Sequence, residues 1–397
     1  MMENKKTSLI VKILVPGISI LIGLFVIESG LRFVDREEKE DPARQIWVAD
    51  DRGDTIHKSN LDIMRFSEES KREAHLITNA EGFMGKDYEV EKSENTIRVA
   101  MLGDSFLEAI QVDFDQNFAY LLEEKLNSSG DTKFEIMNFG VGGQGTMEEL
   151  KRYPYYISKY KPDYVLLFFY PNDFENSQYY LSSRYLIQGN NPEWKNIPLE
   201  NANSNFARDD FKYKLLKNFH LVRFLDAKVR QNAFLSEFAI RLGLQHAGVM
   251  GVPEEGIHPT FLIFKDPLPD AHKEVYDFTS ELIVFMNSVV GEDGARLGVV
   301  YLPQAEQVDD DLWKEEKEDL PVLEKYNWNF DQPNNFLKEK METNNISYLD
   351  LAPILRDYYE KNEDAILYYD KRRHLNEDAH VILTDILAGY IENLISK

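Results

Sequence analysis

The hydroxyl of Ser105 follows an apolar run, Ile97-Arg98-Val99-Ala100-Met101-Leu102, in the turn Gly103-Asp104-Ser105-Phe106. A serine presented from such a turn can act as a nucleophile, although a serine after a strand also serves as a helix N-cap or a phosphate contact. Attack on an ester needs more than the hydroxyl: a base must take its proton, and donors must hold the oxyanion of the transition state. Three later segments offer such groups.

The first is Asn138-Phe139-Gly140-Val141-Gly142-Gly143-Gln144-Gly145-Thr146, in which glycines let the backbone approach a ligand and aim a peptide N–H at it. Gly140, Gly142 and Gly145 also satisfy the dinucleotide spacing Gly-x-Gly-x-x-Gly, but the next apolar run ends in Tyr170-Pro171 and not in an acid that would hold a ribose. The second segment is Phe168-Phe169-Tyr170-Pro171-Asn172-Asp173, whose asparagine amide can donate to the same oxyanion or cap its own turn. The third runs from Tyr369 to His380. There His374 precedes Asn376, a good N-cap with Glu377 and Asp378 behind it, and the helix that follows has an apolar face of Leu383, Ile386, Leu387, Tyr390 and Leu394. An imidazole in that loop is held firmly yet faces the open edge of a sheet, whereas His380, on the helix, reads as structural. The other histidines, His57, His75, His220, His246, His258 and His272, have no His-x-x-x-His spacing, so no metal is implied.

The elements that must position these groups alternate. Strands are predicted at Ile97–Leu102, Phe134–Asn138, Tyr164–Phe169, Leu297–Leu302 and Ile346–Asp350, short and apolar as strands buried on both faces are. Helices are predicted at Phe114–Leu126, Met147–Tyr160, Lys273–Val290 and Asn334–Thr343. This order predicts an α/β fold, a three-layer α/β/α sandwich around a parallel sheet with ligands at the carboxyl ends of the strands. A stretch at about 175–270 interrupts the alternation and is too long for a simple connection. It reads either as extra packing or as a lid or acceptor-binding wall beside the site.

The chain has 397 residues and a net charge of -24, which excludes an electrostatic grip on nucleic acid. It has no cysteine, which excludes disulfides, thiolate metal sites and a cysteine nucleophile. Lys5, Lys6 and Lys12 precede an uncharged run from Ile13 to Ile27, the layout of a transmembrane anchor or a signal peptide. The best cleavage candidate, Ile27-Glu28-Ser29, lacks small residues on both sides of its middle position, so an uncleaved single-pass anchor over residues 1–34 is the expectation. Lysines and arginines are similar in number on both flanks and leave the orientation open. A charged linker over 35–60 and a domain over 61–397 complete the organisation.

The four blocks, in this order, resemble the SGNH hydrolases, also called the GDSL esterase/lipase family, over roughly Ile97–Asn176 and from Val299 to the C-terminus. The segment from Thr78 to Tyr88 is similar to one in the membrane-anchored branch. The resemblance implies Ser105 as nucleophile, His374 as general base, an oxyanion hole of the Ser105 N–H, the Gly143 N–H and the Asn172 side chain, and Asp104 fixing the serine turn. The family's acid lies two or three residues before the histidine, where Arg372 and Lys371 stand here; Asp370, four before, is the candidate acid, the alternative being a Ser-His dyad oriented by a backbone carbonyl. Tyr170 stands where the family commonly has glycine and narrows the site. A Gly-x-Ser-x-Gly elbow is absent, which disfavours an α/β-hydrolase.

What the resemblance implies is a membrane-anchored serine esterase, without cofactor, acting on O-acyl esters such as the O-acetyl groups of a carbohydrate from an extracytoplasmic domain. The same residues serve an O-acyltransferase on a surface polysaccharide if the insertion holds an acceptor and excludes water. The reading from another class is a non-catalytic, membrane-tethered binding protein with a degenerate SGNH fold.

Overall fold

The computed structural model of the protein describes residues 3–40, 45–52, 54–128, 130–189, 191–197, 219–230, 235, 238, 257, 259–362, 364–369 and 374–396. They belong to two compact units, one of residues 1–45 and 206–245, the other of residues 46–205 and 246–397.

In the first unit, helix α1 (Glu3–Glu40) contains a 20-residue apolar stretch, Leu14–Phe33, long enough to cross a bilayer. A signal sequence meets the same test. The helix continues through Asp35–Glu40, the part of the sequence predicted to open the linker. Near its middle Glu28 accepts from the backbone N–H groups of His220 and Leu221, at 3.0 and 2.8 Å, and so caps a second helix, His220–Arg230. One portion of the predicted insertion therefore packs on the N-terminal helix.

The second unit opens with two hairpins, β1 (Trp47–Ala49) with β2 (Thr55–His57) and β3 (Asp62–Ser67) with β4 (Arg72–Ile77). Both β1 and β2 lie within the predicted linker, where Ile46, Asp54 and His57 are buried. The central sheet follows: β5 (Thr96–Gly103), β6 (Lys133–Asn138), β7 (Tyr164–Phe169), β8 (Arg296–Tyr301) and β9 (Ser347–Asp350). The five strands pair in parallel in the order β9-β8-β7-β5-β6. Gly103 stands opposite Phe168, and Phe169 opposite Tyr301, so the carboxyl ends of the middle strands form one edge.

Alternate residues serve opposite layers. Ala100, Leu102, Val165, Leu167, Phe169, Val299 and Tyr301 pack with Leu150, Phe278, Ile283 and Leu337. Val99, Met101, Leu166, Phe168 and Val300 pack with Leu122, Leu355, Leu383 and Leu387. The first layer is built by α4 (Thr146–Arg152), α6 (Asp270–Glu292) and α7 (Gln332–Thr343), the second by α3 (Phe118–Asn127), α8 (Ala352–Lys361) and α9 (Glu377–Ser396). This is the three-layer α/β/α sandwich that the alternating segments predict. Two short helices, α2 (Ser105–Glu108) and α5 (Asn172–Ser177), start directly behind β5 and β7.

The order 2-1-3-4-5, counting sheet strands along the chain, reverses direction between β5 and β7. Ligands in open parallel sheets collect outside the strand ends at such a reversal. The single helix predicted over Met147–Tyr160 is interrupted: α4 ends at Arg152 and the chain widens into a π turn over Tyr153–Ile157. Pro154 has no N–H to continue the α-helical ladder. Of the predicted insertion, Tyr180, Ile187, Trp194 and Ile197 join the core, with Trp194 edge-on against Phe285.

Candidate active site

Ser105 is the first residue of α2, and its presentation depends on Asp104. The buried Asp104 carboxylate caps the helix by accepting from the Phe106 N–H at 2.9 Å, and it accepts from Asn172 Nδ2 at 3.0 Å. Burial raises its pKa above the usual carboxylate range against the lowering effect of these two bonds. The turn after β5 and the turn after β7 are thereby tied together at the strand reversal.

The Gly-rich loop is sewn to the same edge. The Phe139 N–H donates to Met101 O at 2.9 Å, Val141 N–H to Gly103 O at 3.2 Å, and Gly140 N–H to Asn138 Oδ1 at 2.8 Å. A Cβ on Gly140 would lie 2.5 Å from the Glu108 backbone nitrogen, and one on Gly142 would lie 3.5 Å from Ser105 Cβ. The loop therefore passes directly over α2 because it has no side chains there. Gly143 follows, exposed and at φ +72°, a conformation that favours glycine.

Beneath the loop, Glu108 is buried and accepts from Trp47 Nε1 at 2.7 Å; its Oε1 also lies 2.6 Å from His57 Nε2. Burial alone would raise its pKa, but the bonds from His57, Trp47 and the Gly142 backbone outweigh that and hold it below the usual range. Glu148, in the first turn of α4, accepts from the Gly145 N–H at 3.2 Å and from the Tyr180 hydroxyl, and burial pushes its pKa up to about 7. Burial also pushes Asp173 and Glu149 well above the carboxylate range.

His374 closes the arrangement. Its Nε2 lies 2.7 Å from Ser105 Oγ. The ring packs 4.8 Å from the Phe106 ring, which is itself stacked at 3.8 Å on Tyr170. Its carbonyl accepts from the Tyr369 N–H at 2.8 Å, and Leu375 bridges Tyr368, so His374 and Leu375 are tied to Tyr368 and Tyr369. Asn376 caps α9, accepting from the Ala379 N–H at 3.0 Å as its position predicts. His380 accepts the Phe118 N–H at 3.1 Å inside the core, and burial lowers its pKa to about 3.

The structure thus brings Ser105, His374, Asp104 and Asn172 together through direct hydrogen bonds and carries the Gly142-Gly143 turn past the serine. Asp370 lies outside the described residues. On Nδ1 of His374 stand two groups that the sequence does not single out: Glu69 Oε2 at 2.8 Å and the Gln111 amide nitrogen at 3.0 Å. Glu69 sits in the β3–β4 turn, a run of polar residues, Ser67-Glu68-Glu69-Ser70-Lys71-Arg72, with no local mark of function. A hydroxyl against an imidazole nitrogen, with a carboxylate on the other nitrogen, can pass a proton from oxygen to nitrogen and back. Among the described residues no three His, Asp or Glu side chains converge as metal ligands do.

A serine and a histidine meet on the carboxyl edge of a 2-1-3-4-5 parallel sheet in an α/β domain. Residues 99–213 match the model of the GDSL-like Lipase/Acylhydrolase family, the one the chain's motifs resemble. The family implies hydrolysis of acyl esters. Similar solved structures include the acetyl xylan esterase AlAXEase, 15% identical, with 74% of this chain and 100% of that chain covered at a TM-score of 0.40. The psychrotrophic esterase EstA from Pseudoalteromonas sp. is 11% identical over 77% of this chain and 100% of its own, at 0.37. An acetylxylan esterase from Geobacillus stearothermophilus, solved as a catalytic mutant, is 10% identical over 75% and 94%, also at 0.37. No curated protein matches the chain.

Proposed function

We propose that the protein is a membrane-anchored serine esterase that removes small O-acyl groups, acetyl above all, from a carbohydrate. The observation that carries this reading is the 2.7 Å contact between Ser105 Oγ and His374 Nε2. As Oγ bonds to the acyl carbon its proton moves to Nε2, and the oxyanion is held by the N–H groups of Ser105 and Gly143 and by the Asn172 amide. Collapse breaks the bond to the alcohol oxygen, which takes the proton from His374. Water then bonds to the acyl carbon as the same imidazole takes its proton, and collapse breaks the bond to Ser105 Oγ, which takes that proton back as the acyl group leaves as its acid. Asp104 holds the serine turn and the Asn172 amide in one frame.

A small acyl group is favoured because Phe106 and Tyr170, both buried, stack against one another beside His374 and fill the space that glycine at position 170 would leave open. The apolar stretch of α1 supports anchoring, with the catalytic unit outside the cytoplasm, where surface polysaccharides are found. Transfer to a sugar hydroxyl uses the same residues with the sugar in place of water.

The test is labelling of the full chain by a fluorophosphonate probe, with Ser105→Ala as the comparison. Labelling that depends on Ser105 is expected. Its absence, together with no acetyl-ester turnover, would favour the binding-protein reading. Turnover of an acetylated saccharide with and without a second saccharide as acceptor separates hydrolysis from transfer, and recovery of the intact chain in the soluble fraction would remove the anchor.

A further inference from the structure

We infer that Glu69, at the tip of the β3–β4 hairpin, is the carboxylate that holds and orients His374. The inference rests on the esterase reading for its consequence, but its geometry stands apart from it. Glu69 Oε2 lies 2.8 Å from His374 Nδ1 and accepts from the His374 backbone N–H at 3.4 Å, so one oxygen fixes both the ring and the chain that carries it. Both side chains are about one-fifth exposed, at 19% and 21%, which leaves the pair partly screened from solvent.

The hairpin that delivers Glu69 is built to stay in place. Its loop of four residues is closed by Ser70 N–H on Ser67 Oγ at 3.3 Å, with Lys71 at φ +55°. Arg72, the first residue after the loop, donates to Gln116 Oε1 at 3.0 Å and pairs with Glu377 in the first turn of α9. The His75 N–H donates to Asp113 Oδ1 at 2.7 Å. The hairpin is thus fastened to the segment between α2 and α3 and to the helix that follows His374, which sets the acid and the imidazole in a common frame.

The charge on Glu69 decides which nitrogen of His374 carries the proton. A carboxylate can only accept, so its contact requires Nδ1–H and leaves Nε2 with a lone pair for the Ser105 hydroxyl. The Gln111 amide nitrogen, 3.0 Å from the same Nδ1, would donate to the opposite tautomer, in which Nε2–H faces the serine and cannot take its proton. Glu69 therefore selects the productive tautomer against a neighbour that favours the other. Glu69 is a positioning residue acting through His374.

The experiment compares Glu69→Gln, Glu69→Asp and Asp370→Asn in the full chain, by acetyl-ester kinetics, thermal unfolding and the low-field imidazole N–H proton resonance. Glu69→Gln is expected to lower kcat by about 10²–10⁴-fold with KM changed only a few-fold and the unfolding temperature preserved, as when a triad acid is neutralised. It is also expected to abolish the low-field resonance. Glu69→Asp should restore part of the lost rate, and Asp370→Asn should cost at least tenfold less than Glu69→Gln. A Glu69→Gln enzyme within about threefold of wild type, a larger loss from Asp370→Asn, or a resonance that persists without Glu69 would overturn the assignment. Should Glu69→Gln fail to fold, the low-field resonance in Asp370→Asn and Glu69→Asp still decides: a resonance unchanged in Asp370→Asn and shifted in Glu69→Asp supports Glu69, and its loss in Asp370→Asn overturns the assignment. If Ser105 is neither labelled nor needed for turnover, the esterase reading falls, while the imidazole resonances continue to test Glu69.

Discussion

The Asn172 amide donates to the Asp104 carboxylate across 3.0 Å, so the donor assigned to the oxyanion is held by the residue that also caps the helix of the nucleophile. Removing it releases two turns at once. Asn172→Ala is expected to lower kcat on an acetyl ester by about 10²–10³-fold, the effect of losing one oxyanion donor, with KM nearly unchanged. An equal loss in KM would mean that Asn172 serves binding instead.

Two glycines of one loop should respond differently to a methyl group. At Gly140 the added carbon would lie 2.5 Å from the Glu108 backbone nitrogen, which cannot move aside without shifting α2, whereas at Gly143 nothing lies within 4 Å and only the φ of +72° is unfavourable. Gly140→Ala should therefore cost more stability than Gly143→Ala, whose strain is about 1–2 kcal/mol. Chemical denaturation of the two variants gives the order directly. Gly143→Ala keeps its N–H and should retain most of the activity.

The buried acceptor Glu108 carries a further prediction. Glu108→Ala would strand the Trp47 indole and the His57 ring in the interior, and losing one partner of such a buried network costs about 3–5 kcal/mol. Urea unfolding that differs from wild type by less than about 1 kcal/mol would refute the view that this network fastens the first hairpin beneath the serine helix.

Two buried groups should bend the pH dependence of stability in opposite directions. Glu148 titrates at about 7 in the fold against 4.5 for the free side chain, so the folded state binds the extra proton and its contribution is lost as pH rises through 7. His380 titrates at about 3 against 6.5, so the unfolded state binds the extra proton and stability is lost as pH falls below 6.5. Between pH 4.5 and 6.5 the two slopes oppose, each at most about 1.4 kcal/mol per pH unit. Glu148→Gln should make stability rise more steeply with pH across that window, and His380→Asn should make it rise less or fall. The same direction of change in both variants would show that one of the two groups is not held as described.

The sheet could be read from the sequence, and so could the places of Ser105, Asn172 and His374 around its edge. Strands such as Tyr164–Phe169 are apolar at every position because both faces are covered, and the groups at their ends, Ser105 and Asn172, inherit their place from the strand. The hairpins over residues 47–77 were not legible in that way. In β3 exposed and half-buried residues alternate up to the buried Ser67, so no continuous apolar run marks the strand. Glu69 is equally silent, since it meets His374 only through the folding of segments 305 residues apart. The interruption behind α4 is local chemistry that periodicity hides: the apolar spacing runs on through Tyr153 and Ile157 while Pro154 alters the backbone.

The last helix carries a consequence for how the protein is made. The base that the proposed mechanism gives Ser105 stands far along the chain from it, immediately before α9, whose His380 accepts the Phe118 N–H and whose Asp385 meets Lys125. Until α9 docks, Ser105 lacks the imidazole partner it has in the fold. On the proposed mechanism a nascent chain whose α9 has not docked is therefore inert toward esters, and the onset of turnover marks that docking.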